Sequence, residues 1–183
     1  MTRRSFGAGL FAPLPRAPGV ALRAAATMAE HEFFMRRAID AARNNSRAPF
    51  GTVLVDHEQK ETVAQGFNKS SQNPVWHGEI DAINQCAAKY PGQDWTRLTL
   101  YTTAEPCPMC QSAIVWAGMP LVVYGTSIPY LKQLGWGQID LRAEEVAGAA
   151  SFRTNRVLGG VLEQECNALF RASPVSNSAS RPR

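Results

Sequence analysis

No stretch of the 183-residue chain comes near the roughly 20 consecutive apolar residues that a membrane-spanning helix requires. Disulfide scaffolding is missing as well. A chain this long, 45% hydrophobic, builds a core without one, so Cys86, Cys107, Cys110 and Cys166 read better as a metal pair plus two buried thiols. The folded body also lacks a basic footprint. The net charge of +4 resides in residues 1–27, with four arginines and no acid, and in residues 172–183, with two more arginines. Residues 28–171 carry 13 bases against 15 acids, a net of −2, which argues against a nucleic-acid partner. No internal repeat is visible.

What is present begins with a leader. Thr2-Arg3-Arg4-Ser5-Phe6, a run through Gly, Ala, Leu, Val and Pro, and Ala24-Ala25-Ala26 together resemble a twin-arginine export signal, which would place the protein in the periplasm. Arg16, Arg23 and three prolines interrupt that run. Two alternatives stay open: Met28 as the true first residue, with a cytoplasmic protein, or an Arg-rich organellar presequence. In each case the folded domain spans 28–171, and the Ser-, Asn- and Pro-rich residues 172–183 are expected to form a disordered tail.

Within the domain, helical periodicity covers Ala29 to Arg43, Glu79 to Lys89, Pro108 to about Trp116, Leu141 to Ala147 and Leu162 to Arg171. β-rich runs cover Phe50 to Val55, Thr62 to Phe67, Leu98 to Thr103, Leu121 to Tyr124 and Val157 to Val161. The pattern is loose from Ile128 to Asp140. Strands alternating with helices predict a single three-layer α/β domain. His31, at a polar helix position, and His57, in a hairpin turn, read as solvated histidines outside any ligand spacing.

Two short stretches carry the chemistry: His77-Gly78-Glu79 and Pro106-Cys107-Pro108-Met109-Cys110. His77 and Cys107 each sit just ahead of a helix. Pro108 falls at the first helical position, where its missing N–H costs nothing. Cys107 and Cys110 share one turn, and the helix dipole favours their thiolates. One imidazole and two thiolates leave the fourth position of a tetrahedral zinc open for water, which is the catalytic pattern. Cys86 cannot close that position, because nine helical residues from His77 are roughly 13 Å of rise. Glu79, two residues past the histidine, is poorly placed as a ligand but within reach of the activated water. By itself it would read as a carboxylate favouring a helix N-terminus. A closed structural zinc site, a redox Cys-x-x-Cys pair and a non-catalytic zinc module are the remaining alternatives.

H-x-E followed by P-C-x-x-C is the signature of the zinc deaminases. Residues 50–125 resemble the cytidine deaminase superfamily, and particularly its guanine deaminase and tRNA adenosine deaminase branch. The matching stretches are Phe50-Gly51, Gly66-Phe67-Asn68, Pro74 to Glu79 and Thr103 to Cys110. The resemblance implies a three-layer α/β/α fold on a five-stranded mixed sheet, one Zn2+ per chain, assembly as a homodimer and hydrolytic release of ammonia from an amino-substituted base or nucleoside. It further implies that Asn68 contacts the base and that Ala104 lies near the pocket floor. Ala113 to Gly118, with Trp116, looks more like the guanine deaminases, so Trp116 joins the expected substrate contacts and guanine is the lead substrate. Those enzymes use a further acid late in a Gly-Phe-Asp-acid segment. In Gly135 to Asp140, the comparable stretch here, Gln138 stands at that position, and Asp140, displaced by two residues, is the acid expected to contact the substrate. Gly78 stands where the family commonly has alanine. The alternative substrates are a tRNA adenosine and cytosine or cytidine. Trp136 and Tyr130 either line the pocket mouth or pack.

Overall fold

The structure, a computed structural model, describes residues 26–175. Residues 1–25 of the leader therefore lie outside the described residues, as does the tail from residue 176. Five strands form one sheet in the order β2-β1-β3-β4-β5. They are β1 (Gly51–Asp56), β2 (Glu61–Phe67), β3 (Leu98–Ala104), β4 (Leu121–Thr126) and β5 (Arg156–Leu158). β1 runs antiparallel to both neighbours, whereas β3, β4 and β5 are parallel, so the sheet is mixed. β5 is shorter than the periodicity suggests, because Gly159 and Gly160 leave the ladder and Val161 bonds back to Tyr124.

Side chains alternate across this sheet and divide the core in two. Val53, Val55, Tyr101 and Val123 pack beneath α1 (Met28–Ala42) and α6 (Glu163–Ala172), with Phe34, Met35 and Cys166. Leu54, Leu98, Leu100 and Val122 face α2 (Gly78–Lys89) and α3 (Pro108–Ala117), with Ala82, Cys86 and Ile114. Every residue of β1 and β3 is buried, while β2 is a half-exposed edge. A buried Val or Leu contributes about 1.5–3 kcal/mol, so β1 and β3 are the rigid base on which a site can be built.

α1 starts at a capping box between Thr27 and Glu30. The stretch read as loose contains α4 (Ile128–Gln133), which Ser127 caps through the amide of Tyr130. α5 (Ala143–Ala149) packs against α3. Residues 172–175 depart from the expected tail, since buried Ser173 donates through Oγ to the carbonyl of Arg47 at 2.7 Å.

His31 and His57 are not solvated histidines. His31 is buried, its Nδ1 lies 2.9 Å from the hydroxyl of Tyr101, and that hydroxyl lies 2.9 Å from Nε2 of His57. Tyr101 is fully buried, and burying its hydroxyl requires such partners.

Candidate metal centre and its cavity

His77 and Cys107 occupy the N-cap positions of α2 and α3, where a side chain ordinarily satisfies the helix's first amides. Neither side chain does so here. Both are turned to a different task. Nδ1 of His77 lies 3.6 Å from the sulfur of Cys107 and 3.6 Å from that of Cys110. Zinc at ~2.3 Å from sulfur and ~2.0 Å from nitrogen, with tetrahedral angles, sets an N-to-S edge of about 3.5 Å. The three ligand atoms thus already stand at zinc spacing, within 4.8 Å of one another.

The thiols themselves point to a cation. Hydrogen bonding from Cys110 pulls the Cys107 thiol down to about 4, while donating that proton pushes the Cys110 thiol up. The pair shares one proton that a metal ion would displace. His77 is raised by the Cys107 contact, so a metal would displace its proton as well.

Glu79 is 4% exposed, and its Oε1 lies 3.4 Å from the hydroxyl of Thr102 on β3. Burial, then the neighbouring Cys107 charge, raises its carboxyl above the usual range. A carboxyl held above the usual range keeps a proton more readily than an exposed one, which suits general acid–base work. Gly78 has a local reason. A Cβ there would stand 2.7 Å from the carbonyl oxygen of Phe50, so α2 approaches β1 more closely than an alanine allows.

Beside these groups lies a cavity of about 190 Å3, lined by Phe50, Asn68, Ser70, His77, Glu79, Glu105, Cys107 and the run Trp136-Gly137-Gln138. Trp136 both packs and lines, meeting Phe50 and Phe170 edge to face at 5.2 and 5.7 Å. Asn68 is buried, and its Oδ1 accepts from the amide and hydroxyl of Ser70 at 3.1 and 2.8 Å. That engagement leaves its amide nitrogen as the group available to a ligand. The loop carrying Asn68 is fixed from below. Lys69 pairs with buried Asp81 of α2 at 2.8 Å and lies over the rings of Phe67 and Trp76.

The structure brings His77, Cys107, Cys110, Glu79 and Asn68 together, with fully buried Ala104 packed among Leu131 and Phe170. It does not bring Trp116 or Asp140 to the cavity. Trp116 is 71% exposed and stacks on Phe152 with ring centroids 4.6 Å apart, while Asp140 is exposed and pairs with Lys132 at 2.7 Å. Tyr130 is likewise elsewhere, accepting from Arg171. Sequence reasoning passed over Glu105, a buried acid immediately before Pro106-Cys107. Its signal was its place in the motif, where a charged residue must be either paired or buried at cost. Cys86 and Cys166 are both buried free thiols away from the cluster. Among the described residues no helix is long and apolar enough to cross a membrane.

Residues 28–126 match the model of the cytidine and deoxycytidylate deaminase zinc-binding region. The chain is 30% identical over 148 residues to a tRNA-specific adenosine deaminase of Bacillus subtilis, covering 79% of this chain and 89% of that protein. It is 33% identical over 127 residues to the guanine deaminase of the same organism, covering 63% and 80%. It superposes with a TM-score of 0.68, at 26% identity over 77% of this chain and 83% of the other, on a protein crystallised in complex with 8-azaguanine. The zinc-binding match spans the whole stretch from α1 through β4, which holds all three ligands and the carboxyl between them. The chain belongs to the cytidine and deoxycytidylate deaminase family, as a zinc-dependent aminohydrolase.

Proposed function

We propose that the protein deaminates a small free base, with guanine as the lead substrate. One observation carries this reading: the cavity beside the cluster is small and has no lysine or arginine among its lining residues. Its volume of about 190 Å3 falls below the roughly 300–1,000 Å3 of sites for drug-sized ligands, which suits a planar base without its sugar and phosphate. Phe50 and Trp136 offer aromatic surface to such a ring, and the amides of Asn68 and Gln138 offer hydrogen bonds to its edge. Relatives of this chain include a guanine deaminase, and a structural neighbour binds 8-azaguanine.

Zinc, when bound, supplies the activation of water at neutral pH. The rest falls to the chain. Glu79 accepts a proton as the water oxygen bonds to the amine-bearing ring carbon, and passes it to the adjacent ring nitrogen. The hydroxyl proton of the resulting adduct then passes through Glu79 to the exocyclic nitrogen, the carbon–nitrogen bond breaks, and ammonia leaves behind a ring carbonyl. Burial keeps the carboxyl basic enough to serve in both directions. Asn68 holds the base edge-on.

The test is ammonia release from a panel of guanine, guanosine, adenosine, cytosine and cytidine, run beside a tRNA substrate. Turnover of guanine well above the nucleosides is expected. Activity restricted to adenosine within tRNA would overturn the reading in favour of the second one, which the Bacillus subtilis relative supports by covering most of the chain. A homodimer is part of the same proposal, with exposed Trp116 and Phe152 as its apolar contact; sedimentation of the purified chain and of Trp116→Ala checks it. For residues 1–27 we keep twin-arginine export as the proposal, and mass spectrometry of the mature N-terminus decides it against a start at Met28.

A further inference from the structure

The run Trp136-Gly137-Gln138 forms one wall of the cavity, yet it belongs to an irregular stretch between α4 and α5. Its own backbone bonds are short-range: the Trp136 amide donates to the carbonyl of Leu131 at 3.0 Å and the Leu141 amide to that of Ile139 at 2.9 Å. The longer segment that carries it, from the first residue of α4 to the first residue of α5, is however tied at both ends to one buried side chain. Glu105 accepts from the amide of Ile128, the first residue of α4, at 2.9 Å, and from the amide of Ala143, the first residue of α5, at 2.9 Å. These are orphan donors of helix starts, and a carboxylate is the strongest acceptor for them. Glu105 also stands two residues before Cys107, so the wall and the cluster share one anchor.

That anchor depends on Arg142. Its Nε donates to both Glu105 oxygens, at 2.8 and 2.9 Å, and its Nη2 donates to the hydroxyl of Tyr124 on β4 at 3.0 Å. Its amide is held in turn by Glu145 at 2.8 Å. Glu105 is 3% exposed, whereas Arg142 reaches it from a half-exposed position and does not line the cavity. A buried carboxylate stripped of its cation must recruit water or shift to reach it, and the cavity is where water is available.

We propose that Arg142 is a positioning residue: acting through Glu105, it sets the place of the Trp136–Gln138 wall relative to Cys107 and thereby the enzyme's affinity for its base. This rests on the reading that the cavity receives the base. In Arg142→Gln the wall loosens while the His77, Cys107, Cys110 and Glu79 groups keep their places. The expected result is a KM raised by about tenfold with kcat within about twofold, and zinc unchanged at one per chain. Arg142→Lys, which restores charge without the forked contact, recovers part of the KM and serves as the measurable variant where the glutamine protein does not fold. Amide hydrogen exchange across residues 134–141 provides the second readout on the zinc-loaded full chain, and it should quicken in either variant. Unchanged exchange there, or a kcat loss with KM unaltered, overturns the proposal. If wild type turns over none of the panel bases, the substrate reading fails, while the exchange result still decides the role of Arg142.

Discussion

Tyr101 and Thr102 are neighbours on β3 that point to opposite faces of the sheet, and both hydroxyls reach acid–base groups. On one face the Tyr101 hydroxyl is shared between His31 and His57, closed in beneath Phe34. On the other the Thr102 hydroxyl approaches Glu79 beside His77 and two thiols. In the first arrangement one buried hydroxyl bridges two imidazoles. The second gathers a proton-sharing thiol pair, a raised imidazole and a raised carboxyl around a cavity. Buried polar groups that satisfy one another build a core, whereas perturbed groups that converge on a cavity do chemistry. Histidine in this chain therefore has two roles, and its residue type alone does not say which.

The largest effect separates the faces outright. Cys110→Ser removes a fully buried ligand, so zinc content measured by metal analysis should fall to near zero and turnover with it. A protein that retained full zinc would show that the three groups are not the binding set. Glu79→Gln is the next test and touches only the proton carrier. Zinc should stay, and kcat should drop by about 10²–10⁴. Retained turnover would remove Glu79 from its assigned role, because an amide of the same shape cannot move a proton.

Legibility followed the same division. The metal set was readable because its spacing is local: each half of the motif sits at a helix start, where residue order alone fixes the geometry. The sheet and α1, α2 and α3 were readable from period. α4 was not, since six residues opening Ile128-Pro129 carry too little periodicity and the helix is held by Ser127 and Glu105. Trp116 and Asp140 were placed by resemblance, but the cavity wall is built by Trp136 and Gln138, whose position depends on contacts from Glu105 to residues 23 and 38 places along the chain. His31 reads as a polar helix position until a tyrosine 70 residues on closes over it. Such long-range pairings leave no local mark.

On the opposite face, Tyr101→Phe tests whether the two sides of β3 are independent. It keeps the ring in the core and removes the hydroxyl that His31 and His57 share. Leaving the buried Nδ1 of His31 without that hydroxyl should cost about 1–3 kcal/mol, read as a lowered denaturant midpoint at unchanged slope. Turnover and zinc content should be those of wild type. A comparable loss of kcat would mean that the two faces of β3 communicate and that the division drawn between them is wrong.

The smallest effect is a pH dependence of stability. Burial holds the imidazole of His31 below its ordinary value, against the weaker opposing pull of Glu30, whose own charge is shared with Lys60 at 3.7 Å. The folded state thus gives up this proton before the unfolded one does. Above about pH 7 both states are neutral and His31 adds no slope. As the pH falls below the unfolded value near 6.5, the unfolded chain binds the proton first and stability declines, levelling once the folded-state value is passed. The slope from one such group cannot exceed about 1.4 kcal/mol per pH unit. Urea titrations of the zinc-loaded protein from pH 7.5 to 5.5 should show this decline, and His31→Gln should flatten it without altering kcat at pH 7.5. If the slope survives that substitution, the proton is taken up elsewhere, and His77 with its thiols becomes the group to examine, because acid releases zinc from that face by the same linkage. Zinc measured along the same titration tells the two apart, since the His31 contribution leaves the metal bound.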